Sequence, residues 1–168
     1  KEQIRNIGYN ENFDIEIINS KDEEKRKKYL KHLFEKLQRE QGLLERDCDR
    51  LLRNDRVIWA TSMVACGDAD GAVTGNTRRF GASLEKIKQV VDVRKGEIMF
   101  GLNMVVHKGR TIFIGDTSVH EYPTSEELAE IAISTARVVR LFGFEPKVAF
   151  VSHSTFGQPL TSRTKHIR

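Results

Sequence analysis

The sequence predicts an α/β fold with a mostly parallel sheet and one antiparallel hairpin. Three observations predict it. Amphipathic stretches with helical spacing alternate with short apolar runs. Two apolar runs, LNMVVH (102–107) and TIFIGD (111–116), are separated only by KGR, which reads as a hairpin turning at Gly109. The last long helix, 124–142, carries both a start and a stop signal.

Taken in order, FDIEII (13–18) alternates apolar and acidic residues and predicts a short strand. Residues 21–41 predict an amphipathic helix, with Tyr29, Leu30, Leu33, Phe34 and Leu37 at helical spacing and Gly42 ending it. Its acids come first and its bases follow, in keeping with the helix dipole. A short helix at 45–53 carries Leu51 and Leu52. VIWATSMVAC (57–66) is almost wholly apolar or small; its length and its Ala and Met residues favour a buried helix over a strand. DGAVT (70–74) predicts a short strand edge, and 83–92 another amphipathic helix. In 124–142, Thr124 and Glu127 make a capping box, and Leu128, Ile131, Ala132, Thr135, Val138 and Phe142 line one side. Gly143 closes that helix, and KVAFVSHS (147–154) predicts a buried strand running into a polar loop.

The bulk numbers exclude several classes. The 168 residues suffice for one ordinary domain or two small lobes with a core of their own. Two cysteines, Cys48 and Cys66, match no metal-ligand spacing and build no disulfide framework, so a reducing, cytoplasmic setting is expected. No apolar run approaches the roughly 18 residues of a membrane span. The net charge of +4 does not imply nucleic acid. Between 21 and 60, twelve Lys and Arg interleave with nine Asp and Glu, the pattern of a solvated helix face and not the basic–aromatic interleaving of a stacking platform. The chain begins at Lys1, and its last residues, TSRTKHIR, read as the first turn of an unfinished helix; a truncated fragment of a longer protein is expected.

In open α/β sheets, ligands collect at the carboxyl ends of strands. Three polar clusters follow predicted strands: TGNTRRFG (74–81), GDTSVHEYP (115–123) and SHSTFG (152–157). In the first, Gly71 and Gly75 let backbone approach an anion, Thr77 donates, and Arg78 and Arg79 offer planar forks for phosphate or carboxylate. The alternative is that these arginines pair with Asp68 and Asp70 and only fix the turn. In the second, Asp116, His120 and Glu121 are all metal-ligand types, yet they more simply cap and tie the loop, and no metal is assigned. In the third, Ser152 and Ser154 lack the GxSxG frame of a serine nucleophile and suit ligand holding or helix capping before Gly157.

Two segments, GDADGAVTGNTRRF and FIGDTSVHEYPTSEELAEIAISTARVVRLFGFEPKVAFVSHSTFG, resemble the phosphate acetyl/butyryl transferase family. The likeness spans about residues 56–158 and is strongest in PTSEELAEIAISTA followed by FGFEPKVA. At NTRRF and SHSTFGQP the sequence departs from the transferases and is similar to the C-terminal phosphotransacetylase-like domain of bacterial NADP-dependent malic enzymes. The resemblance implies a three-layer fold like that of isocitrate and isopropylmalate dehydrogenases. Its two lobes would be 1–95 and 96–168, the second of them dimerising. It implies a parent enzyme that oxidatively decarboxylates malate with NADP and a divalent metal, Mg or Mn, held upstream. It also implies acetyl-CoA as an effector bound here and no catalytic residue in the fragment, the transferase residues lying further on. An acyl-CoA would lie against Thr77, Arg78, Arg79 and Phe80, and against Ser152, Ser154, Phe156 and Gly157. Asp68, Asp70, Gly71, Gly75, Asp116 and Glu121 would shape the loops. The alternative within the family is a working transferase that moves an acyl group between CoA and phosphate.

Overall fold

A computed structural model describes residues 16–151, together with Asn6. The chain divides into two compact units, Lys1–Asp92 and Val93–Arg168.

The first unit is helical over the described residues. Helix α1 (Glu23–Gln41) starts where Asp22 accepts the amides of Glu24 and Lys25, and it stops at Gly42 in the left-handed region (φ 66°). Helices α2 (Glu45–Asn54) and α3 (Arg56–Ala65) follow with a single residue, Asp55, between them. Helix α4 (Phe80–Val90) completes the unit. Tyr29, Leu33, Leu37, Cys48, Leu52, Ile58, Trp59 and Val90 form its core, and burying each large apolar side chain contributes about 1.5–3 kcal/mol. The Tyr29 ring meets Trp59 edge-on, with centroids 5.1 Å apart. Helix α3 buries two hydroxyls by turning them onto its own backbone: Thr61 donates to the Val57 carbonyl and Ser62 to that of Ile58, each at 2.7 Å. At the far end, Lys36 is buried and reaches Asp92 at 2.7 Å, and His32 lies 3.0 Å from the Val90 carbonyl. Both basic groups on α1 thus sit at the C-terminal end of α4, where the helix dipole favours positive charge.

Over the described residues the second unit is a hairpin covered on one side by a helix. Strands β1 (Leu102–His107) and β2 (Arg110–Gly115) pair antiparallel in the register Leu102↔Gly115 to His107↔Arg110. Lys108 (φ 47°) and Gly109 (φ 76°) make the two-residue turn with positive φ at both positions, which matches the twist of the strands. Helix α5 (Ser125–Leu141) opens with the full capping box: the Thr124 amide donates to Glu127 Oε2 at 2.7 Å, and the Glu127 amide to Thr124 Oγ1 at 3.2 Å. It closes with the amide of Gly143 on the Arg140 carbonyl and that of Phe144 on the Val139 carbonyl, a Schellman ending. Ile131 and Val139 are its buried residues, and Phe113 of β2 packs between Phe142 and Phe144, at 5.7 and 5.6 Å.

The α/β content is as predicted, and the expected helices and hairpin all form with bounds that move by three residues or fewer. The expected strands are a different matter. Residues 70–74 form no strand; Val73 stands fully in solvent, and the glycines on either side supply no side chain to pack. Among the described residues Glu16–Ile18 and 147–151 have no strand partner, while 13–15 and 152–154 lie outside the described residues. Among the described residues the sheet is therefore the two-stranded hairpin alone, not a mostly parallel sheet. An apolar run becomes a strand only when an edge is available to pair it, and sequence pattern does not supply the partner.

Candidate functional site

In the first unit, the loop between α3 and α4 is tied at both of its ends. Near its start, Asp68 accepts Lys28 Nζ at 2.5 Å and the Tyr29 hydroxyl at 2.7 Å, which anchors the loop to α1. These bonds hold the Asp68 carboxyl below its usual range, that of Lys28 contributing most. The same contact works in reverse on Tyr29: burial first, then Asp68, pushes its hydroxyl well above the ordinary value of 10.0. Asp70 and Gly71 are exposed on the loop beyond.

At the other end, Arg78 donates Nη1 to Asp55 Oδ2 at 2.6 Å. Asp55 Oδ1 meanwhile caps α3 by accepting the amides of Val57 and Ile58 at 2.9 and 3.4 Å. Burial pushes this carboxyl up, but the bonds from Arg78 and the two amides outweigh it and leave it below the usual range. Gly75 (φ 134°) and Asn76 (φ 61°) take conformations that bring Thr77 back over the loop, its amide on the Gly75 carbonyl at 2.7 Å. The result is a cavity of about 650 Å³ bordered by Val73–Arg78 on one side and by Asn54, Arg56, Val57 and Ala60 on the other. Thr77 and Arg78 line it; Arg79 and Phe80 do not. Arg79 is the N-cap residue of α4 and makes no side-chain capping bond, and Phe80, the first residue of that helix, is 56% exposed. The two neighbouring arginines are therefore not equivalent: Arg78 is held at the cavity by Asp55, and Arg79 heads α4 outside its lining.

Sequence reasoning did not single out Asp55 or Arg56. The signal for Asp55 was available, since an aspartate directly before an apolar run is a helix-start pattern. Its pairing with Arg78, 23 positions away, has no local signature.

In the second unit, Asp116 follows β2 with a side chain only 2% exposed. Its Oδ1 accepts the amides of Ser118 and Val119 at 2.9 and 3.1 Å, and its Oδ2 accepts the amide of His120 at 3.0 Å and lies 2.8 Å from His120 Nδ1. Burial opposes the charge, but these bonds together hold the carboxyl down at about 2. Asn103 donates to Thr117 Oγ1 across the same loop. Gly101 is a close approach beneath it: a Cβ there would overlap Ser118 Oγ and lie 2.9 Å from Asp116 Oδ1. Glu121 is exposed. Among the described residues no group of three or more His, Cys, Asp or Glu is placed to hold a metal ion, and no helix is long and apolar enough to cross a membrane. Ser152, Ser154, Phe156 and Gly157 lie outside the described residues.

The sequence profile described as "Phosphate acetyl/butaryl transferase" matches residues 1–168. The chain is 42% identical over 154 residues to an NADP-dependent malic enzyme of Rhizobium meliloti, covering 92% of this chain and 20% of that protein. It is 30% identical over 155 residues to a phosphate acetyltransferase of Helicobacter pylori, covering 91% of this chain and 29% of that one. The EutD phosphotransacetylase from Staphylococcus aureus superposes with a TM-score of 0.78 at 25% identity, over 99% of this chain and 50% of that chain. The chain thus spans about one fifth of the malic enzyme it matches and half of the solved transferase. With a matching profile over its whole length and this fold, the chain belongs to the phosphate acetyl/butyryl transferase family, as a transferase-like domain related to one carried by malic enzymes.

Proposed function

We propose that this domain binds an acyl-CoA and phosphate and serves the transfer of an acyl group between them. The observation that carries the reading is Arg78, fixed by Asp55 at the edge of the cavity formed by 73–78. In such a transfer a phosphate oxygen adds to the thioester carbonyl carbon. The carbon–sulfur bond then breaks, and the sulfur leaves as a thiolate that takes up a proton. Phosphate and CoA are both anionic, so a guanidinium already held in place lowers the cost of bringing them together. Arg78 meets phosphate oxygens, Thr77 donates a hydroxyl, and Val57, Ala60 and Val73 offer the apolar wall for the pantetheine arm. Arg79 and Phe80 stand beside the amides that open α4 and extend the anion site. The test is a coupled assay with acetyl phosphate and CoA, alongside calorimetry with acetyl-CoA. Replacing Arg78 by alanine removes charge-assisted bonds of about 1.5–3 kcal/mol and so weakens acetyl-CoA roughly 10- to 100-fold. An Arg78→Ala protein that binds as the parent does places the phosphates elsewhere.

A second reading is favoured by the higher identity to a malic enzyme, 42% against 30% for a phosphate acetyltransferase. In it the domain, with lobes 1–95 and 96–168, binds acetyl-CoA as an effector and joins subunits of a cytoplasmic NADP-dependent malic enzyme. NADP and the Mg or Mn ion then belong to other parts of that enzyme. Acetyl-CoA that changes malate oxidation in the natural polypeptide, with no acyl transfer above background, selects this reading.

A further inference from the structure

Among the described residues, two cations and no acid line the cavity beside the α3–α4 loop: Arg56 from the start of α3, and Arg78 from the loop. Its volume of about 650 Å³ falls within the roughly 300–1,000 Å³ of small-molecule sites. Asp55 places both cations. Its Oδ1 caps α3, which sets Arg56 at the first helical position, and its Oδ2 holds Arg78 Nη1 at 2.6 Å. One carboxylate against two guanidiniums leaves a positive charge for an anion to meet. The helix itself gives no reason for a cation at that position. A helix dipole favours acids at the N-terminus, and α1, α2 and α5 each carry two in their first turn: Glu23 and Glu24, Glu45 and Asp47, Glu126 and Glu127. Helix α3 carries none there and opens on a guanidinium instead. Asn76 and Thr77 add neutral donors to the same lining.

We propose that Arg56 is a second phosphate-binding residue of this cavity, which therefore takes ligands with two phosphoryl groups in preference to ligands with one. The inference rests on the acyl-CoA reading above and narrows it: of the phosphates that a CoA carries, Arg78 meets one and Arg56 another. Proximity in sequence suggests Arg78 and Arg79 as the working pair. Arg79, however, heads α4 outside the lining, whereas Arg56 lies within it. A guanidinium grips a phosphoryl group through a planar fork, so each group needs a cation of its own. Arg78 already commits Nη1 to Asp55, and its remaining N–H groups suffice for a single fork. Arg56 is exposed, so its fork is open to a ligand that enters from solvent.

The test titrates the natural polypeptide and its Arg56→Ala variant with acetyl-CoA, pyrophosphate and inorganic phosphate by calorimetry. Arg56→Gln, which keeps most of the side chain without its charge, serves should the alanine variant fail to fold. Arg53→Ala is the control: it removes an equal charge from α2, at a residue that pairs with Asp49 and lies outside the cavity lining. Arg56→Ala should weaken acetyl-CoA about ten-fold and lower the preference for pyrophosphate over phosphate by about the same factor. Arg53→Ala should stay within about two-fold of the parent for every probe. If pyrophosphate shows this dependence and acetyl-CoA does not bind, the acyl-CoA reading falls and the two-cation site stands. If acetyl-CoA binds Arg56→Ala as it binds the parent, or if Arg53→Ala loses as much as Arg56→Ala, the two-cation site falls and the acyl-CoA reading stands. A loss for acetyl-CoA with an unchanged pyrophosphate preference also overturns the two-cation site, since Arg56 would then meet some other part of the ligand.

Discussion

Arg78 and a helix cap share one carboxylate. Asp55 gives Oδ2 to the guanidinium at 2.6 Å and Oδ1 to the first amides of α3, so the cation beside the candidate cavity is fixed by the residue that starts the neighbouring helix. Removing the whole side chain should therefore cost more than removing either function. Asp55→Ala loses the cap, worth about 1–2 kcal/mol. It also loses a partner for Arg78, a smaller contribution because that arginine is 39% exposed. Asp55→Asn keeps an oxygen for the cap and should lose less than half as much. Urea unfolding of both variants checks the order. Equal losses would mean that the charge, not the cap, dominates.

Asp116 makes acid stability testable with a defined sign. Its folded value is about 2 against an ordinary 3.8, so its contribution is complete above about pH 5 and disappears as pH falls towards 2. The shift corresponds to about 2 kcal/mol. Asp116→Asn should thus be less stable than the parent at pH 6, and the gap should close on acidification. Other lowered carboxyls, those of Asp55, Asp68 and Asp92, are common to both proteins and cancel in the difference. A gap that stays constant from pH 6 to 2.5 would mean the carboxylate's charge is not what organises the loop.

Gly115 and Thr135 make a close approach between β2 and α5. A Cβ at Gly115 would lie 2.5 Å from Thr135 Oγ1. Gly115→Ala should destabilise by about 1–3 kcal/mol through overpacking. Thr135→Ala, which removes a buried hydroxyl without a partner among the described residues, should be near neutral, and the double variant should recover much of the loss. Additive losses in thermal unfolding would show that the clash lies elsewhere.

Local signals were legible in the sequence and long-range ones were not. The capping box at Thr124 and Glu127, the stop at Gly42 and the turn at Gly109 each rest on residues a few positions apart, and each is present. The strand expected at 70–74 failed because an apolar–glycine pattern does not say which edge will receive it. The loop around 68–79 shows both sides. Its anion-binding residue types could be read directly. That Asp68 is held by Lys28 and Tyr29, about forty positions earlier, and Arg78 by Asp55, follows only from the packing of α1 and α3. Of the two arginines, the sequence has no means of telling which one finds a carboxylate.

Tyr29 joins the core to the loop and offers a test of that connection. Its ring packs edge-on against Trp59, while its hydroxyl donates to Asp68 at 2.7 Å. Tyr29→Phe keeps the ring and removes only the hydrogen bond. Asp68 retains Lys28, so no buried group is stranded and the loss should be about 1 kcal/mol. Tyr29→Ala empties a core position and should cost about 3–5 kcal/mol, as large aromatic truncations do. The hydroxyl is also held above its ordinary value of 10.0, by burial first and then by Asp68. Its contribution is therefore intact below about pH 10, where the unfolded chain keeps the proton as well, and is lost at higher pH as the unfolded tyrosine ionises first. The parent should lose stability above pH 10 more steeply than Tyr29→Phe, measured by urea unfolding at a series of alkaline pH values. Parallel curves for the two proteins would mean that the hydroxyl titrates freely and that the loop is not tied to α1 through it.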